Sequence, residues 1–215
     1  MPDALVLDLD GTLVDSAPDL WRHTNRLLSE HGRAALDLAT VTSFVGEGAG
    51  VLLSRAFAAT GAPLDDDALA HVVARYGALY AAEPVVDTRL MAHVVEALDR
   101  VDVPLALCTN KPERVARAVL EALGLAGRFP VVVGGDTLPV RKPDPAPLRA
   151  AAAGLGFPPE RVVLVGDSEV DCATAEAAGV PFWWFTGGYH RETPARVAWR
   201  FDDWRAFPRV PRGRS

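Results

Sequence analysis

Six short apolar runs are strung along the chain, with helical patterns filling most of the intervals between them. They are Ala4 to Leu7, Val103 to Cys108, Phe129 to Val133, Arg161 to Val165, Pro181 to Phe185 and a short one at Ala198 to Phe201. Brief apolar runs bounded by Gly, Pro and Asp read as strands buried on both faces. Helical segments at Met91 to Arg100, Glu113 to Leu123, Pro145 to Ala153 and an Ala-rich one ending at Gly179 lie between them. Asp144 is the expected N-cap of the third. Strands and helices alternating in this way imply an α/β fold: a parallel sheet with helices on both faces, carrying its function at the C-terminal strand ends.

The alternation is interrupted once. From Ser16 to Pro84 nothing reads as a strand, and three helical segments follow one another: Asp19 to His31, stopped by Gly32; Gly50 to Thr60, behind the turn Val45-Gly46-Glu47-Gly48-Ala49-Gly50; and Ala68 to Ala82, opened by Asp65-Asp66-Asp67. At 215 residues the chain is long enough for one full core and an inserted subdomain. The expected organisation is a discontinuous core of residues 1–15 and 85–215 with an all-helical domain at 16–84, placed to act as a lid behind the first strand. The glycine turn fits either a link between two cap helices or bare backbone beside a substrate; without a preceding strand it is no nucleotide fingerprint.

The polar residues that close the apolar runs form one set. Asp8 and Asp10 end the first strand at i and i+2, so both should emerge on one side where Gly11 allows a turn. Carboxylates crowded together raise a pKa or recruit a cation, and oxygen ligands suit Mg²⁺. Thr109 and Asn110 follow the second strand, Lys142 lies beyond the third, and Asp167 and Asp171 follow the fourth. Each alone is an ordinary turn or cap residue. Together at one sheet edge they make a candidate site. Lys111 and Lys142 are the two lysines among 22 basic residues, and both follow strand-like runs. A compact ammonium differs from a guanidinium as a point-charge partner for phosphate or carboxylate.

A net charge of −6 argues against a nucleic-acid surface. Arg205, Arg209, Arg212 and Arg214 near Pro208, Pro211 and Gly213 read as a solvated end. No apolar stretch approaches a membrane span, and the first strand begins too early for a signal peptide, so a cytoplasmic protein is expected. Cys108 and Cys172 read as reduced core thiols, and Trp183 and Trp184 as packing residues.

Taken together, these motifs resemble the haloacid dehalogenase superfamily of hydrolases. Asp8-Leu9-Asp10-Gly11-Thr12 matches its first motif, Thr109 the second, Lys142 the third, and Gly166-Asp167-Ser168 with Asp171 the fourth. The resemblance implies a Rossmann-like core with a helical C1-type cap. It also implies roles: Asp8 as nucleophile forming an aspartyl-phosphate, Asp10 as acid and then base, Thr109, Asn110 and Lys142 as phosphate-binding groups, with Lys142 also orienting Asp8. Mg²⁺ would be held by Asp8, the Asp10 backbone carbonyl and Asp167, with Asp171 as ligand or support. Phosphate-monoester hydrolysis is accelerated by up to about 10²¹ in enzymes, whereas a lone acid or base gives about 10²–10⁴. A nucleophile, a metal and fixed positive groups acting together could close that gap.

Asp10 favours phosphoryl transfer over carbon–halogen hydrolysis, which has no alkoxide to protonate. Asp8 to Ser16, Val45 to Leu53, Thr109-Asn110-Lys111-Pro112 and Lys142-Pro143-Asp144-Pro145 resemble the phosphoglycolate phosphatases in particular, although Glu83 to Met91 lacks the Pro-Gly pair usual there. The expected partner is a small phosphorylated metabolite, and the expected assembly a monomer or homodimer. Pyrophosphate hydrolysis, a β-phosphoglucomutase-like transfer and a non-catalytic binding role are the alternatives. The last predicts loss of a charged motif residue, and none is missing.

Overall fold

The computed structural model describes residues 2–211. In chain order its elements begin with β1 (Ala4–Leu7), β2 (Val14–Asp15), α1 (Ala17–Glu30), α2 (Leu38–Thr42), α3 (Ala49–Ala59), α4 (Asp66–Ala82), β3 (Arg89–Leu90) and α5 (Val94–Leu98). They continue with β4 (Leu105–Cys108), α6 (Glu113–Ala122), β5 (Val131–Val133), α7 (Ala146–Gly154), β6 (Val162–Gly166), α8 (Glu169–Ala178), β7 (Phe182–Phe185) and β8 (Trp199–Phe201).

Every residue of β1 is buried, and the period of two sends them to opposite sides. Leu5 and Leu7 join one apolar cluster; Ala4 and Val6 join another with Leu148 and Ala151 of α7 and Ala175 and Ala178 of α8. β1 pairs in parallel with β4 through Leu5 and Leu105 and with β6 through Leu5 and Val163. The main sheet runs β5-β4-β1-β6-β7-β8, parallel throughout. The chain fills one side of β1 with β4 and β5 before crossing to β6. That reversal opens a crevice beyond the carboxyl ends of β1, β4 and β6.

Between β2 and β3 the chain is helical. α1 packs on α2, α3 and α4, and α4 reaches the core at α6. Leu27, Leu53, Phe57 and Tyr80 belong to the same apolar cluster as Leu5, Leu7, Val115 and Val119, so one continuous apolar cluster links the helical unit to the sheet and α6. Asp65 caps α4 by accepting from the Ala68 amide at 2.8 Å, as the aspartate triplet implied.

Several local features differ from the sequence reading. α2 escaped it: five residues bury one apolar side chain, Val41, although Asp37 caps the helix at Thr40 N. β2 and β3 form a two-residue antiparallel ribbon joining the exit and return of the helical unit, too short for a periodic signal. α5 is shorter than Met91 to Arg100, and His93 precedes it at φ 66°. α7 begins one residue late, with Asp144 Oδ1 accepting from Ala146 N at 2.8 Å and Pro145 at the cap.

Cys108 and Cys172 are buried free thiols, and burial pushes Cys108 up to about 12. Trp184 packs in the sheet and also donates its indole N–H to the Asp167 carbonyl at 2.9 Å. In the arginine tail, Arg205 pairs with Asp203 and Arg209 lies 4.0 Å from Asp102, while Arg212, Gly213 and Arg214 lie outside the described residues. No helix among the described residues is long and apolar enough to cross a membrane.

Candidate active site

Asp8 is the first residue past β1, and its amide donates to the Val165 carbonyl of β6 at 2.9 Å. Its carboxylate is thereby fixed at the crevice. Asp167, one residue past β6, is 1% exposed, and Asp171 is fully buried in the first turn of α8. Oxygens of Asp8, Asp167 and Asp171 all lie within 4.8 Å of one another. Burial, together with the like charges of Asp171 and Asp10, pushes the Asp8 carboxyl up to about 7 against the pull of Lys142. Burial, then Asp171 and Asp8, raise Asp167 well above the usual carboxylate range.

Lys142 enters this cluster from the loop after β5. Its Nζ lies 2.6 Å from Asp171 Oδ1, to which it donates, and 2.9 Å from Asp8 Oδ1. The second contact is an ion pair off the line of a hydrogen bond, which leaves Asp8 Oδ1 without a directed donor. Burial works against the ammonium, but Asp171 and Asp8 overcome it and hold Lys142 charged. Asp171 is well supplied with donors. Its Oδ2 accepts from the Ser168 hydroxyl at 2.6 Å and the Ser168 amide at 3.2 Å in a capping box that starts α8. Asp171 thus sits behind Lys142 as its support.

Asp167 accepts from the Thr12 hydroxyl at one oxygen and from the Tyr189 amide at the other, each at 2.7 Å. Gly11, at φ 85°, packs so closely on Asp167 that any Cβ there would overlap the carboxylate. Gly188, from the loop after β7, approaches the same side chain.

Asp10 departs from the expectation that it would share one small space with Asp8. The strand ends at Leu7 and the chain wraps around the Leu9 carbonyl, which accepts from Thr12, Leu13 and Val14. The Asp10 carboxylate therefore turns toward the helical unit. It accepts from Ser16 Oγ at 2.5 Å and from Lys111 Nζ at 3.0 and 3.3 Å. Its side chain is not part of the acidic cluster, so any bond it makes to a cation there falls to its backbone carbonyl.

Thr109 follows β4 and is 3% exposed; its hydroxyl oxygen accepts from the Lys111 amide at 3.2 Å, leaving the hydroxyl hydrogen for another acceptor. The Asn110 amide, expected at the phosphate, donates instead to the Gly46 and Lys142 carbonyls, each at 2.9 Å. It braces the glycine turn against the lysine loop, so a phosphate contact from this residue would have to come from its backbone.

Two contributors carried no role in the sequence reading. Lys111 stood out there by the rarity of lysine; it is buried, donates to Tyr80 Oη at 3.2 Å and lies 4.3 Å from the Tyr80 ring centroid. Tyr189 contacts the site from its backbone, while its hydroxyl accepts from the Ser16 and Ala17 amides and donates to Asp15. The Gly187-Gly188 pair before it was the available signal. A cavity of about 50 Å³ opens between Asp10 and the helical unit, walled by Leu20, Val45, Leu52 and Val115 and reached by Gly46 and Gly48 of the glycine turn.

The family profile of haloacid dehalogenase-like hydrolases matches residues 2–179. A phosphoglycolate phosphatase of Rhodospirillum rubrum is 46% identical over 97% of this chain and 92% of its own length. One from Rhodobacter capsulatus is 39% identical over 99% and 98%. A crystal structure from Haemophilus somnus, described as a predicted phosphoglycolate phosphatase, superposes with a TM-score of 0.86 at 31% identity, covering 94% of each chain. With its acidic cluster at the switch point of a parallel sheet and sequence likeness along nearly its whole length, the chain belongs to the haloacid dehalogenase-like hydrolases.

Proposed function

We propose that the chain is a Mg²⁺-dependent phosphatase that hydrolyses phosphoglycolate through an aspartyl-phosphate on Asp8. The observation that carries this reading is the junction of two unlike environments: a buried ammonium among three carboxylates at Asp8, and a small, mostly apolar cavity bordered by Asp10. The first suits a phosphoryl group and the second a short leaving group. The close likeness to phosphoglycolate phosphatases supports the substrate.

Three carboxylates against one ammonium leave the cluster negative, and their oxygens are the hard donors that Mg²⁺ takes. Asp8, Asp167 and the Asp10 carbonyl would hold the ion. Bound there, Mg²⁺ would neutralise the crowded carboxylates and draw charge from the phosphoryl oxygens.

The Asp8 carboxylate attacks phosphorus, the bond to the ester oxygen breaks, and Asp10 gives its proton to the departing alkoxide. Asp10 then takes a proton from the water that attacks the phospho-aspartate, which releases phosphate and restores Asp8. Thr109 donates its free hydroxyl hydrogen to a phosphoryl oxygen. Lys142, held by Asp171, favours the ionised form of Asp8 and holds it in position. Residues 16–84 act as the cap and 1–15 with 85–215 as the core. Reduced Cys108 and Cys172 suit a cytoplasmic setting, and one chain, alone or in a homodimer, carries every group named here.

The test is a kcat/KM comparison across phosphoglycolate, ethyl phosphate, pyrophosphate, para-nitrophenyl phosphate and β-glucose 1-phosphate, the last with and without glucose 1,6-bisphosphate. Phosphoglycolate should lead by at least about tenfold. EDTA should abolish turnover and Mg²⁺ restore it. A lead for pyrophosphate, or turnover of the sugar that depends on the bisphosphate, would replace the substrate assignment; indifference to EDTA would remove the metal.

A further inference from the structure

The cavity beside Asp10 is apolar except for one side. There Lys111, Tyr76 and Tyr80 line it together with the Asp10 carboxylate. We propose that Lys111, aided by the hydroxyls of Tyr76 and Tyr80, is the specificity-determining group that receives a carboxylate on the leaving group. This deepens the reading of the chain as a phosphoglycolate phosphatase and rests on it.

Four observations carry the assignment. Lys111 is the cation among the residues lining the cavity, and its side chain is 4% exposed. An ammonium has three N–H donors, and Lys111 directs them at both Asp10 oxygens, at 3.0 and 3.3 Å, and at the Tyr80 hydroxyl at 3.2 Å, so a ligand carboxylate would take over the longest of these bonds, the second one to Asp10. The Tyr76 hydroxyl is buried beside the Thr24 hydroxyl, and neither makes a hydrogen bond of good geometry to any group. A buried hydroxyl without a partner costs free energy that a ligand acceptor would recover. The Tyr80 oxygen already accepts from Lys111, so its own hydrogen is available to a ligand.

Size and field agree with a short acid. About 50 Å³ is a small space that suits a short leaving group. Gly48 and Ala49, at the start of α3, border the same space, and no side chain caps that helix, so its positive end adds to the attraction for an anion. The cavity touches Asp10, which puts a bound acid next to the residue that protonates its ester oxygen. A carboxylate one carbon from that oxygen would lie within reach of Lys111.

The experiment compares phosphoglycolate with ethyl phosphate, an ester of equal length without the carboxylate, by kcat/KM in Mg²⁺. The wild type should prefer phosphoglycolate. Lys111→Met will slow both esters because Asp10 loses an ion-pair partner, but should cost phosphoglycolate about 100-fold more. Tyr76→Phe, which leaves the Asp10 contacts intact, should reduce the preference about tenfold, mainly through KM. It keeps the test decisive if Lys111→Met does not fold, as circular dichroism will show. Equal losses on the two esters in Lys111→Met, together with an undiminished preference in Tyr76→Phe, would overturn the assignment and leave the phosphatase reading standing. Equal rates for the two esters in the wild type would overturn it as well. A wild type that hydrolyses neither ester would instead remove the function on which the assignment rests.

Discussion

Three carboxylates within 4.8 Å and one ammonium cannot all be content without a cation, and the strain falls on Asp8. Burial lifts its carboxyl from 3.8 to about 7. An acid whose folded value is raised favours folding when protonated. Its penalty is therefore absent below about pH 4, grows as pH rises, and is full above about 7. Asp8→Asn removes that penalty together with the nucleophile. At pH 8 in EDTA the variant should melt about 2–4 °C above the wild type, about 1 kcal/mol in a chain this long, because loss of the Lys142 ion pair offsets most of the larger gain that the shift implies. Its hydrolysis of para-nitrophenyl phosphate in Mg²⁺ should fall to background. Retained turnover would exclude Asp8 as nucleophile, and a lower melting temperature would show that its charge is paired better than the geometry indicates.

At the scale of elements, the sequence disclosed what repeats and hid what closes over distance. The central strands were legible because a two-sided apolar run has few other uses, and α8 because its Ala-rich run stops at Gly179, whereas the Ser168–Asp171 capping box that starts it went unread. Asp8, Thr109, Lys142, Asp167 and Asp171 were legible because they end runs that a parallel sheet must align. The partners were not: nothing local tells Asp10 to turn toward Lys111, 101 positions away, rather than toward Asp8. Asp19 is the clearest case. An acidic residue in the first turn of α1 reads as an ordinary favourable end charge. In the fold it is fully buried and accepts from the Val86, Asp87 and Thr88 amides and the Thr88 hydroxyl, 67 to 69 residues on. It holds the return segment that lacks a Pro-Gly pair. Burial would raise its carboxyl, but these donors win and hold it well below the usual range. Its contribution is therefore fully present above about pH 4 and is lost as pH falls further. Asp19→Asn should cost about 2–3 kcal/mol in urea unfolding at pH 7, with the gap to wild type narrowing below pH 3. A gap independent of pH would mean that the carboxylate charge is not what binds the segment.

For the molecule as a whole, the question is how firmly the helical unit is held over the sheet. The apolar cluster they share is large, yet the polar links across the crevice are few. Asn110 reaches the Gly46 carbonyl, Lys111 meets Tyr80, and Glu47 receives both Arg55 of α3 and Arg191 of the loop after β7. Arg191 also holds Glu169 at the start of α8, so Glu47 ties the glycine turn to the element that carries Asp171. Burial raises the Glu47 carboxyl, but the two guanidiniums outweigh it and keep the group below its ordinary value. The Glu47, Arg55 and Arg191 side chains are about one-third exposed, which makes each of these pairs worth at most about 1 kcal/mol and sensitive to salt. That is too little to fix the fold and enough to bias a cap between positions several-fold. Glu47→Gln should therefore move the melting temperature by less than about 2 °C while raising KM about two- to fivefold. In the wild type, KM should climb with KCl, and the variant should have lost most of that dependence. A KM that follows salt equally in both would show that the Glu47 contacts do not hold the helical unit closed, leaving the shared apolar face and the β2–β3 ribbon to do so.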